Sequence, residues 1–220
     1  NNIKIVIEYG MLSEDKFFDK SEKFALYPTT DDEFFTYEEL EAAIKEHQTD
    51  KEGKLIILYA SNADEQHSYI VQAKEKGYKV LLLDSPITGH LIQKLEGSKE
   101  NVSFVRVDGD AIENLIKKED GTLSKLSDEE KETLKPMIEA AVEGGSYTVQ
   151  LEAMDSKSFP FVLTQPEFMR RMKEMQQTGG GGGMMGGFPD MFNLVVNTNH
   201  ELVGQILHTK TEKKRERLIK

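Results

Sequence analysis

Side chains able to do chemistry are present in this 220-residue chain, but few stand where chemistry needs them. Asp84 ends the apolar run Lys79 to Leu83, where a carboxylate could accept a phosphoryl group or bind a ribose hydroxyl; beside Ser85 and Pro86 it better suits a helix start. The five histidines are scattered, with His200 and His208 eight apart and His67 lacking a partner four residues on, so no zinc spacing arises. Asp108-Gly109-Asp110 lacks the rest of a calcium loop. No serine sits in a GxSxG turn, and cysteine is absent, which removes thiol nucleophiles, disulfides and thiolate metal sites. After Leu55 to Ala60 the turn SNADEQ carries no glycine, so a backbone cradle for pyrophosphate is not expected. No catalytic, cofactor-binding or metal-ligating set is predicted.

A different chemistry is concentrated elsewhere. Six of the nine methionines fall between Met169 and Met191. Methionine is unbranched and polarizable and adapts to irregular apolar shapes. Pro166 suits the first turn of a helix. At about 100° per residue Phe168, Met172 and Met175 form one stripe with Met169 on its flank, while Arg170, Lys173 and Glu174 point the other way. Such a stripe serves either as the packing face of its own domain or as a binding face. Gly179 to Gly183, Gly186 and Gly187 then disfavour regular structure. The expected state is a loop carrying Met184, Met185 and Phe188, and a plain linker is the alternative.

The elements positioning these residues follow from periodicity. Thr36 and Glu39 form a capping box. Leu55 to Ala60 (LIILYA) reads as a strand buried on both faces. A helix is predicted over roughly Ala63 to Lys76, with Tyr69, Ile70 and Ala73 inward and Gly77 as its stop. Lys79 to Leu83 is a second strand. A helix striped by Leu91, Ile92 and Leu95 leads to a third, Val102 to Val107. This β-α-β-α-β order implies an α/β fold: a small three-layer α-β-α domain with a parallel sheet.

Asp108 to Leu126 reads as a boundary containing one short helix. Ser127 and Glu130 form a second capping box, opening a helix to about Val142 in which Pro136 is expected to cause a kink or a later start. Strands are predicted over Ser146 to Met154, Phe159 to Thr164 and Met191 to Val196. Asn199 is the expected cap of a final helix pair with Leu202, Val203, Ile206 and Leu207 apolar. The second half is thus an α+β domain. The net charge of −11 opposes nucleic acid as a main partner. The basic run Lys210 to Lys220 has interleaved glutamates, as a solvated helix face would. No apolar run of about 18 residues is present, so no membrane span is expected. No signal peptide is visible, and the chain opens inside an apolar-periodic segment, as a piece of something longer would.

Four blocks of the sequence, EYGMLSEDKFFDK, EQHSYIVQAKEKGYKVLLLDSPITGHLI, PEFMRRMKEM and NLVVNTNHELV, together resemble the heat shock protein 90 family in its bacterial form, in the family's order and across nearly the whole chain. The resemblance implies that residues 1–109 are the last part of a chaperone middle domain, 110–126 a linker, and 127–220 a C-terminal dimerisation and client domain ending before its closing helix. It implies an ATP-dependent, cytoplasmic, homodimeric stress chaperone that binds unfolded or partly folded client proteins, with neither nucleic acid nor membrane as partner. ATP and Mg would be handled by an N-terminal domain outside this chain, so no catalysis and no cofactor are expected here. Phe168, Met169, Met172 and Met175, with Met184, Met185 and Phe188, are then the expected client-binding residues. Leu202, Val203, Ile206 and Leu207 are expected near the dimer partner. The alternative is an α/β regulatory domain with Asp84 as phospho-acceptor joined to an oligomerisation module.

Overall fold

The computed structural model describes residues 2–117, 122–142, 147–178 and 191–219. They form two compact units: residues 2–117 with 167–178, and residues 122–142, 147–166 and 191–219.

The first unit begins with helices α1 (Asn2–Ser13) and α2 (Asp15–Ser21) and a two-stranded antiparallel ribbon, β1 (Tyr27–Pro28) with β2 (Phe34–Phe35). Then come α3 (Tyr37–Gln48), β3 (Leu55–Ala60), α4 (His67–Glu75), β4 (Val80–Leu82), α5 (Thr88–Ser98), β5 (Val102–Arg106) and the short α6 (Ile112–Leu115). The main sheet has the order β4-β3-β5, all parallel, with Leu58 opposite Val80 and Leu55 opposite Val102. Every residue of β3 is buried, and the strand's twofold alternation explains how. Leu55, Ile57 and Tyr59 face a core built with Leu40 and Ile44 of α3 and Leu91, Ile92 and Leu95 of α5. Ile56, Leu58 and Ala60 face a second core with Ile70 and Ala73 of α4 and Ile112 and Leu115 of α6. Two cores on opposite faces of one parallel sheet make the expected three-layer α/β architecture.

Local chemistry fixes the ends of these helices. The Thr36 hydroxyl accepts from Glu39 N, and the Glu39 carboxylate accepts from Thr36 N at 2.9 Å, completing the predicted box. Gly77, at φ +77°, stops α4. That helix begins at His67, not near Ala63. Asn62 Oδ1 accepts from Asp64 N and Glu65 N, and Gln66 Oε1 accepts from Ser61 N and Asn62 N, so the preceding residues are committed to a turn. Ile112, Leu115 and Ile116, inside the stretch expected to be a linker, are buried in the second core.

The second unit opens with α7 (Asp128–Ala141), whose Ser127–Glu130 capping box is formed as predicted. Pro136 lies within this helix, which neither starts late nor stops there. Strands β6 (Tyr147–Glu152) and β7 (Phe161–Thr164) flank β8 (Phe192–Asn197). β6 runs parallel and β7 antiparallel to β8, a mixed sheet in keeping with α+β. Between β7 and β8 the chain forms α8 (Glu167–Thr178), which groups with the first unit. α9 (Glu201–His208) and α10 (Glu212–Ile219) follow. The core joins Leu134 and Ile138 of α7, Val149, Val196, and Val203 and Ile206 of α9.

Asn199 does not cap α9. His200 does, its Nδ1 accepting from Leu202 N at 3.1 Å. Asn199 is buried and spans three backbone groups: Lys125 N donates to its Oδ1 at 2.7 Å, and its Nδ2 donates to Leu123 O and Met154 O at 3.0 and 3.1 Å. Asn197 beside it accepts from Met154 N and donates to Asp155 O. Among the described residues no helix is long and apolar enough to cross a membrane.

Asn199→Ala strands buried polar groups, so it should destabilise the second unit by roughly 2–3 kcal/mol. His200→Ala loses only a cap, about 1 kcal/mol. Denaturant titration of the two variants checks the order, and a larger loss for His200→Ala would contradict the assignment.

Candidate functional site

α8 is built from EFMRRMKEMQQT. Its Arg170 flank is turned inward. Arg170 is only 5% exposed, whereas Phe168 is 71% exposed. Met169 and Met172 are half-buried. The side chain of Met175 lies outside the described residues, as do Met184, Met185 and Phe188. The predicted stripe is real in spacing, but the helix docks by its flank, through Glu167, Arg170 and Arg171. Arg170, expected on the side away from the stripe, is the buried residue.

Acceptors on Tyr59 and Glu167 explain why a guanidinium can be buried there. Arg170 Nη2 donates to Tyr59 OH at 2.5 Å and to Glu167 Oε1, with its guanidinium over the Tyr59 ring, 5.7 Å from the centroid. Arg171 Nε donates to Glu167 Oε1 at 2.7 Å. Its Nη1 and Nη2 grip the two oxygens of Glu96 at 2.9 and 3.2 Å, and Nη2 also reaches Phe104 O at 2.6 Å. Burial works against the Arg171 charge, but Glu96 and Glu167 outweigh it and hold its pKa above the ordinary arginine value. Glu96 in turn accepts from Phe104 N at 2.7 Å. The edge strand β5 thus has both backbone groups of Phe104 satisfied by this side-chain bridge.

The docked helix walls a cleft of about 700 Å³ in the first unit, at the C-terminal ends of β3 and β4. Phe168 and Met172 line one side; Leu83, Pro86 and His90 supply further surface from the β4–α5 turn and the start of α5. Asp84 lies at the same cleft, bound to Lys4 Nζ at 2.6 Å. The hydrogen bond from Lys4, opposed by partial burial, holds its carboxyl below the usual aspartate range. The carboxylate engages a lysine in a surface ion pair, and nothing around it supports the phospho-acceptor reading. Asp108 is paired with Arg106, and Asp110 accepts from Ala111 N and Asn114 Nδ2. Among the described residues no group of three or more His, Cys, Asp or Glu could hold a metal ion.

The residues expected near a dimer partner divide. Val203 and Ile206 are 0% exposed, sealed in the core of their own unit, and so are not surface contacts. Leu202 and Leu207 are half-buried and pack against that core. Sequence reading did not single out Arg171, Glu96, Tyr59 or His90. Glu167 with Arg170 and Arg171, at spacings of three and four, was a readable helix-surface signal. Glu96, seventy-five positions from Arg171, left no local trace.

No protein-family model matches the chain. Over 210 residues it is 44% identical to the chaperone protein HtpG of Bacteroides thetaiotaomicron, covering 94% of this chain and 31% of that protein. The HtpG of Bacteroides fragilis is 43% identical over the same share of each. That of Porphyromonas gingivalis is 39% identical over 215 residues, 96% of this chain and 31% of its own. The resemblance to bacterial heat shock protein 90 read from the four sequence blocks therefore extends along nearly the whole chain. The chain spans about a third of the length of these curated relatives.

The Lys4–Asp84 pair has a pH signature. A depressed folded pKa adds stability above the unfolded value and loses it as pH falls through the folded value; at this exposed site the amount is small. Lys4→Met should return the Asp84 carboxyl toward the ordinary range in a carbon-detected NMR titration, and an unaltered titration would show that Lys4 is not the cause.

Proposed function

We propose that this chain, similar over 94% of its length to a segment of HtpG chaperones, holds non-native polypeptides as part of a longer ATP-dependent stress chaperone. The observation that carries the reading is the outward Phe168 on a helix whose arginine flank is docked. Phe168, Met169 and Met172 form the client-binding face, and Met175, Met184, Met185 and Phe188, whose side chains lie outside the described residues, are assigned to client binding with them. Apolar burial at about 25 cal/mol per Å² gives affinity without demanding a sequence, and flexible thioethers adapt to different clients. His90 also lines the cleft and offers a polar group to a bound segment.

In the complete protein, homodimerisation would draw on Leu202 and Leu207, with Val203 and Ile206 as the core behind them. ATP hydrolysis, with its Mg, would be carried out by other parts of that protein, in the cytoplasm. The role of this segment is binding, and no chemical step is assigned to it.

The test uses reduced, carboxymethylated α-lactalbumin as a permanently unfolded client. Phe168→Ser combined with Met172→Ser removes side chains whose burial is worth about 1.5–3 kcal/mol each, so the dissociation constant should rise about tenfold or more. Unchanged affinity in a variant that keeps its circular dichroism would rule this face out.

A further inference from the structure

Polar contacts hold α8 to the first unit. Among its side chains with described burial only Arg170 is buried, and the guanidinium groups of Arg170 and Arg171 donate hydrogen bonds to β3, α5 and β5. Arg170 is fixed by Tyr59, the penultimate residue of β3, through a hydrogen bond and the ring face. Arg171 is fixed by Glu96 on α5 in a bidentate grip and by the carbonyl of Phe104 on β5. Glu96 is itself oriented by Phe104 N, and Glu167 holds both arginines from the first turn of α8. Three elements of the unit thus converge on two adjacent side chains. A greasy helix face can slide or roll by small steps; a forked, charge-assisted contact has one geometry and is lost when that geometry is lost.

We propose that Arg170 and Arg171, with Glu96 and Tyr59 as counter-residues, form a latch that sets the pose of α8 and so the presentation of its Phe168–Met172 face. They are positioning residues: they act on client affinity through the attitude of the helix. The proposal rests on the binding-face reading above, and it adds that strength of binding is tuned by a polar lock on the opposite flank. Releasing the lock swings or loosens the face, which makes the Arg171–Glu96 grip a point of control.

Because Arg170 is buried, variants of its partners give the cleaner test. Tyr59→Phe removes one oxygen, and Glu96→Gln removes one charge at constant size. Hydrogen exchange at amides 168–173 should accelerate about tenfold or more in each, as loss of one charge-assisted hydrogen bond permits. Exchange in β3 should stay unchanged. Affinity for reduced, carboxymethylated α-lactalbumin should fall about threefold or more, a fraction of that same loss. Arg171→Gln combined with Glu96→Gln should be no worse than Arg171→Gln alone, because the grip on Glu96 is already gone in that variant. Unchanged α8 exchange in a folded variant overturns the latch. Faster exchange with unaltered probe affinity overturns its positioning role. If the Phe168→Ser, Met172→Ser chain also binds the probe normally, the binding-face reading has failed as well, which separates the two failures.

Discussion

A buried guanidinium governs the arrangement around α8. Burying Arg170 carries a large desolvation cost unless its donors are met. They are met by Tyr59 OH and Glu167, while Arg171 beside it is met by Glu96, Glu167 and Phe104 O. Those partners exist in one place only, where the end of β3, the edge of β5 and the middle of α5 come together. Once the helix is committed to that place by its charged flank, geometry turns Phe168 away. An exposed phenyl forgoes about 1.5–3 kcal/mol of burial. The chain accepts that loss where the polar contacts are strongest, and an apolar surface beside a 700 Å³ cleft is the result.

The parallel sheet makes this site possible. β3 is buried on both faces, so its side chains alternate between two cores and hold Tyr59 at a fixed height. β5 is an edge strand, and its open Phe104 groups would invite pairing with another strand. Glu96 and Arg171 satisfy them instead. One side-chain bridge therefore blunts a sheet edge and seats a helix. The second unit relies on a different device of the same kind: Asn197 and Asn199, buried after β8, tie the backbone at residues 123–125 and 154–155. In both units buried polar side chains fix position where apolar packing alone would leave freedom.

Local rules explain what could be read in advance. LIILYA announced a strand covered on two sides, and the Thr36 and Ser127 boxes announced two helix starts, because each depends on neighbours within four residues. The orientation of α8 was not legible. Periodicity locates a stripe, but it does not say whether the stripe or the opposite flank meets the protein; that choice was made by Glu96 and Tyr59, distant in sequence. Asn199 was read as a cap because asparagine suits caps, yet Leu123, Lys125 and Met154 recruited it into the interior and left the cap to His200. Val203 and Ile206 were placed near a partner by kinship, and the packing of α7 on β8 claimed them first.

The central claim is that Phe168 of α8 looks outward, with Met172 partly open beside it, while the arginine flank is docked. Hydroxyl-radical footprinting with mass spectrometry measures this directly, residue by residue, in a chain that carries its own buried methionine references at Met11 and Met154. The account predicts rapid modification of Phe168, faster oxidation of Met172 than of Met11 or Met154, and little change at Tyr59. Protection of Phe168 and Met172 to the level of the two buried methionines would contradict it.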